Sequence, residues 1–278
     1  TYVPVETDRA EGDPAPFLTL LEVMLPVQKD REILLAYMAA CVQHVGAKFQ
    51  WAPLLQGVQG NGKSFLAACL SYAIGEKYTH IPEAKDIGNS FNAWLQGKLL
   101  IVVEEIYTAD KVDTIETLKW MVTNPRVPSQ AKGQDQTTGD NRANFFMCSN
   151  HKDAIRKTSS DRRFAIFYTA QQEVDDLTLC GMAGDYFPSL YTWARTIGFA
   201  IINNYLRNYK IPDELNPAVG CHRAPVTSST GEALVCSGSL IEQDILEMAE
   251  AGRMGFADGW ISSIAFDKML LERKFRLP

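Results

Sequence analysis

The chain has 278 residues, a formal net charge of −6, a hydrophobic fraction of 46% and a charged fraction of 22%. That balance excludes a wholly disordered chain, and 19 Gly with 13 Pro in no period excludes a fibrous one. No run of about 18 apolar residues marks a membrane span, so no membrane partner is expected.

The opening Thr1-Tyr2-Val3-Pro4 has neither Met nor a signal pattern, and the chain reads as a piece of something longer. Residues 1–16, with Pro4, Gly12, Pro14 and Pro16, read as a tail. Ile33, Leu34, Tyr37, Met38, Cys41 and Val45 recur at helical spacing and predict a helix over 31–45. A short apolar strand over 51–55 runs into a glycine-rich turn, and a helix follows from Phe65. A short strand is expected at 78–81 and a helical turn at 91–95. The β-branched run 99–103 predicts a strand buried on both faces, ending in Glu104 and Glu105.

Further on, 114–122 reads as helix and 125–144 as a polar loop or exposed hairpin. Strands are predicted at 144–148, followed by Ser149-Asn150, and at 164–168. A helix over 191–209 precedes a linker over 212–231, and helices at 242–251 and 264–273 close the chain. No internal repeat is visible. The succession is an α/β nucleotide-binding layout with a central, mostly parallel sheet. Six scattered cysteines and four histidines show no metal spacing, and Cys41, Cys69 and Cys148 sit in apolar runs as core thiols do.

Charge is uneven. From Lys119 to Arg163 nine basic residues face four acidic ones, a net +5, against −11 for the rest. Such a band can bind a polyanion locally, and an ordinary solvated face gives the same count.

Gly57-Val58-Gln59-Gly60-Asn61-Gly62-Lys63-Ser64 satisfies the phosphate-loop pattern in full. Its glycines let backbone N–H groups turn inward, and the following helix presents its positive end to the same anion. Lys63 would reach the β- and γ-phosphates of ATP, and Ser64 would offer its hydroxyl to Mg²⁺. Glu104 fits the metal and Glu105 the attacking water. The alternative for the two acids is a solvated pair capping the next helix. Asn150 either orients that water or senses the γ-phosphate, or else caps a helix.

Three blocks together resemble one family. The phosphate loop, the strand ending in Glu104-Glu105 and the strand Phe145-Phe146-Met147-Cys148-Ser149-Asn150 are similar to the motifs of superfamily 3 helicases, the AAA+ motors of DNA viruses, phages and plasmids. The helicase half of primase–helicases and primase–polymerases is the nearer resemblance, over about residues 30–210. It implies an AAA+ P-loop NTPase core over 51–211. Residues 1–50 would be an N-terminal tail and helical segment, and 212–278 a linker with a small C-terminal helical or partly winged-helix-like module.

The resemblance also implies an ATP-dependent DNA helicase working in phage or plasmid replication, in the cytoplasm of the host cell. Its partners would be single-stranded DNA, copies of itself in a hexameric ring, and a primase or polymerase domain outside this chain. The family's DNA-gripping hairpin falls on the 125–144 segment, with Lys132 as the tip cation and Lys119 second. Its subunit-boundary arginines match Asp161-Arg162-Arg163-Phe164, with Arg163 as the finger and Arg162 beside it. Spacing alone leaves open whether Arg163 serves its own site or the next subunit's, and the family implies the next. The other reading is a ring ATPase that loads or remodels proteins without unwinding DNA.

Overall fold

A computed structural model describes residues 6–87, 93–106, 112–129, 137–155, 157–158, 160–237, 245, 248–249, 252–257 and 260–272. The strands are β1 (Ala52–Gln56), β2 (Thr79–His80), β3 (Leu100–Val103), β4 (Arg126–Ser129), β5 (Thr137–Asp140), β6 (Asn144–Ser149) and β7 (Phe164–Tyr168). Among the described residues, five of them form one sheet in the order β2-β3-β6-β1-β7, all parallel. Leu54 of β1 lies across from Met147 on one side and Ile166 on the other. These strands are near-continuous apolar runs because helices cover both of their faces.

The helices are α1 (Ala15–Met24), α2 (Gln28–Gln43), α3 (Lys63–Ile74), α4 (Ala84–Ile87), α5 (Val112–Thr123), α6 (Val174–Leu179), α7 (Tyr186–Trp193), α8 (Phe199–Asn208), α9 (Thr230–Cys236) and α10 (Ser263–Glu272). A π-helical turn, Ala194–Gly198, joins α7 to α8. Alternate strand residues point to opposite layers. Leu55, Val102, Phe146 and Phe167 pack with Phe17, Tyr37, Phe65, Leu70 and Ile202 of α1, α2, α3 and α8. Leu54, Val103, Met147 and Ile166 pack with Ile115, Leu118 and Met121 of α5. The helix α1 begins at Ala15, at the end of the tail expected over 1–16, and runs through residues for which no element is expected. Pro16 sits in its first turn, where proline is tolerated, and Phe17, Leu20, Leu21 and Met24 form its buried stripe.

The hairpin expected within 125–144 is present as β4 and β5, antiparallel, with Arg126 opposite Asp140 and Ser129 opposite Thr137. Its root is tied to the segment before β1. Asn144 donates Nδ2 to Ala47 O (2.9 Å) and accepts Phe49 N on Oδ1 (2.9 Å). Lys48 donates Nζ to Met121 O (3.1 Å) and to Ala143 O. Asn141 reaches Met121 O and Asn124 O, at 2.7 and 2.8 Å.

Part of the expected linker is instead a strap along the outer edge of β7. Ala224 N donates to Arg162 O (2.8 Å), Thr227 Oγ1 to Ile166 O, and Ser229 Oγ accepts Tyr168 N (2.8 Å). Lys157 Nζ satisfies Phe164 O between them (2.6 Å). An edge strand left open would invite pairing with another chain, and this one is closed. Buried Asp30 of α2 holds the strap by accepting from Ser228 N and Oγ. Near the C-terminus, β8 (Phe256–Ala257), β9 (Trp260–Ile261) and α10 enclose a small cluster of their own, Met248, Phe256 and Met269. Most of the helix expected over 242–251 lies outside the described residues.

Candidate functional site

All five parallel strands end at one rim, and the segment Gly57–Ser64 lies there, running from the end of β1 into the first turn of α3. Gly57 has no room for a side chain, since a Cβ would lie 1.9 Å from Thr169 Oγ1 and 2.5 Å from Asn61 Nδ2. Gly62 has φ +99° and packs under Leu20 and Phe187. These two constraints fold the loop back on itself and start α3 at Lys63, with the helix's positive end facing the loop. Buried Asn61 donates Nδ2 to Thr169 Oγ1 (2.8 Å).

Lys63 Nζ donates to Gly57 O (2.7 Å), Val58 O (2.9 Å) and Asn61 Oδ1 (3.0 Å). Burial pulls its ammonium down to about 8, opposed by Cys148 and Glu105. Burial likewise pushes the Cys148 thiol beneath it up to about 12. Among the described residues every hydrogen-bond acceptor of Lys63 is neutral, and the Glu105 charge acts on it without a hydrogen bond, which leaves a buried cation short of a bonded anion.

Glu104 and Glu105 follow β3. Glu105 stands in the left-handed region at φ +53° and is exposed. Its turn is pinned by Ile106 N to Cys148 O (3.0 Å) and by Ser149 Oγ to Ile106 O (2.7 Å). Asn150 follows β6, the strand between β1 and β3. The structure thus brings Lys63, Ser64, Glu104, Glu105 and Asn150 around one cleft of about 350 Å³. Gln59, Gly60, Asn61 and Gly62 also line it; Gly57 and Val58 lie behind, as acceptors for Lys63. Phe187 and Tyr191 of α7 form another wall that sequence reasoning missed, because nothing near them in the chain marks a site. Gln56 was missed too. A polar residue closing a buried strand is its only signal, and it donates to Asn150 O (3.3 Å).

Arg162 and Arg163 are elsewhere. They precede β7, and Arg163 O accepts from Ala52 N at the start of β1 (2.9 Å). Five strand residues at about 3.3 Å each put Arg163 roughly 17 Å from the cleft's rim. Among the described residues, neither guanidinium is in ion-pair contact with a carboxylate. Asp161 accepts Arg163 N on Oδ1 (2.7 Å) and turns Oδ2 to Lys119 (3.6 Å). Lys119 also pairs with Glu116 (2.8 Å), whose carboxyl this bond holds below its usual range. Lys132 lies outside the described residues, in the connection between β4 and β5.

The model of a family of unknown function, DUF5906, matches residues 55–163, from the end of β1 to the threshold of β7. Two structures of the NrS-1 C terminal region superpose on the chain with a TM-score of 0.69. One is 16% identical and covers 89% of this chain, the other 17% and 90%. The fold is similar to that of part of the NrS-1 C terminal region. At such identities the likeness speaks of fold alone, and the chain spans only 58% of that region. A JCV helicase structure matches at a TM-score of 0.41 and 13% identity, too distant to carry an argument. No curated protein sequence matches the chain. The α/β core with its central parallel sheet is the one that the resemblance to superfamily 3 helicases implies.

Proposed function

We propose that the chain is an ATP-driven DNA helicase motor, hydrolysing ATP between subunits of a homo-oligomeric, hexameric ring and translocating on single-stranded DNA in phage or plasmid replication. One observation carries the reading. A complete phosphate loop, two acids and an asparagine meet on one rim, with Arg163, in no ion-pair contact among the described residues, at the opposite end of the same sheet. The ammonium of Lys63, short of a bonded anion, fits the triphosphate. Ser64 and Glu104 would hold Mg²⁺ largely through nucleotide oxygens and water, a mode that needs no dedicated cage of protein ligands. Bound there, Mg²⁺ supplies charge neutralisation at the β- and γ-phosphate oxygens.

Glu105 would take the proton of the water attacking the γ-phosphorus, and Asn150 would orient that water. The bridging oxygen then leaves with ADP. Arg163 lies too far to serve its own cleft, which favours a neighbour's. The hairpin would carry Lys132 to the DNA, ahead of Lys119, whose charge Glu116 and Asp161 already engage. A primase or polymerase domain is the expected partner in the parent protein.

The test separates binding from turnover. Lys63→Ala should lose both nucleotide binding and hydrolysis. Glu105→Gln should bind Mg-ATP normally and turn over at least about 10²-fold more slowly. Normal turnover in Glu105→Gln would sink the assignment. Hydrolysis indifferent to single-stranded DNA would favour a loader or remodeller instead.

A further inference from the structure

Behind the cleft, side-chain hydrogen bonds join into one path. Lys63 Nζ donates to Asn61 Oδ1 (3.0 Å), and Asn61 Nδ2 to Thr169 Oγ1 (2.8 Å). Gln172 Nε2 donates to Thr169 O (2.7 Å). Gln56 Nε2 donates to Gln172 Oε1 (3.1 Å) and to Asn150 O (3.3 Å). The ends of the path, Lys63 and Asn150, line the cleft, whereas Gln56, Thr169 and Gln172 do not. The same turn reaches α6, because Asp176 Oδ2 accepts the N–H groups of Gln172 and Glu173, both at 2.8 Å.

Gln56 is the joint. It is 2% exposed, and its Oε1 is buried with no hydrogen-bond partner among the described residues. A buried amide oxygen without a partner destabilises a fold, and a methionine of the same length would avoid that cost. Turning the amide round brings no relief, since its oxygen would then face the oxygens of Asn150 and Gln172. A residue that breaks a packing rule where two walls of a site meet points to use.

We propose that Gln56 is a positioning residue. It fixes the backbone of Asn150 against the rear of the phosphate loop, so that the water oriented by Asn150 stands at one set spacing from the phosphate held by Lys63. The inference rests on the nucleotide-hydrolysing reading of the cleft and adds to it a residue that touches no substrate.

Gln56→Met removes both N–H donors and keeps the length. In the assembled protein with single-stranded DNA, its kcat should fall about 10- to 100-fold, while the Kd for Mg-ATP changes by less than about 3-fold. Combined with Asn150→Ala, it should cost little beyond Asn150→Ala alone, because both act through one group. Gln172→Met, at a half-buried site, should show the same split more weakly and serves if Gln56→Met does not fold. Unchanged kcat, equal losses in kcat and affinity, or fully additive losses with Asn150→Ala would overturn the proposal while leaving the ATPase reading intact. An assembled wild type that neither binds nor hydrolyses ATP would overturn both.

Discussion

Glu105 is, among the described residues, the one non-glycine with a positive φ. The left-handed conformation costs such a residue roughly 1–2 kcal/mol, because Cβ crowds the following carbonyl. Two hydrogen bonds between Ile106 and the neighbouring strand hold the turn that contains it, at the edge of the cleft that Glu105 lines. Glu105→Gly should therefore be more stable to urea than Glu105→Ala by about 1 kcal/mol. Both should lose turnover. Equal midpoints would show that the turn carries no strain. The phosphate loop is legible in the sequence because its glycines and lysine act at short, fixed spacings. The twist at Glu105 is not, because two acids after an apolar strand look alike in either backbone conformation. Gln56 is also hidden, since its partners Asn150 and Gln172 lie far along the chain.

The hairpin of β4 and β5 is anchored through Lys48, whose burial pulls its ammonium from 10.5 down to about 7. Unfolding restores the higher value, so between pH 7 and 10.5 the unfolded chain holds the extra proton. This contribution to stability is complete above that window and is lost as pH falls toward 7, by roughly 1.4 kcal/mol per unit. From pH 7 to 9 the native protein should gain stability over Lys48→Met by about 2 kcal/mol in urea melts. A parallel pH profile in the variant would remove Lys48 from the account. At the other end of the hairpin, Lys132→Ala should weaken single-stranded DNA binding across unrelated sequences. It should also lower the salt slope by about 1, read by fluorescence anisotropy. An unchanged slope would move the grip elsewhere. Composition announces the hairpin through its polar run. It conceals α1, whose Pro14 and Pro16 mimic a tail while starting a helix. It conceals the strap as well, whose ties to β7 and Asp30 depend on residues far away in the chain.

For the molecule as a whole, the order β2-β3-β6-β1-β7 decides what spacing cannot. The four main strands are recognisable as continuous apolar runs. Only the parallel register shows that 13 residues after Asn150 the chain has returned to the far rim, with Arg163 at the opposite end of the sheet from its own cleft. Arg163→Ala should fold and bind nucleotide but hydrolyse poorly. Mixed with Lys63→Ala at fixed total protein, it should regain activity above either variant alone, because some boundaries then pair an intact loop with an intact arginine. Trans arginines contribute about 10³–10⁵ in kcat in related phosphoryl transfers, so even partial rescue is measurable. A flat curve, in samples whose mass proves mixed assembly, would defeat the trans reading.

Two unlike ends on one body also set an arithmetic of assembly. In the proposed ring each subunit joins the next front to back, so that every cleft receives one neighbour's Arg163. An open row always leaves one cleft at its end without an arginine. Turnover per chain would then start at half in a pair, climb with each addition, and become whole only when the last subunit meets the first. Closure itself, rather than any single new contact, would be the moment at which no cleft in the assembly stands idle.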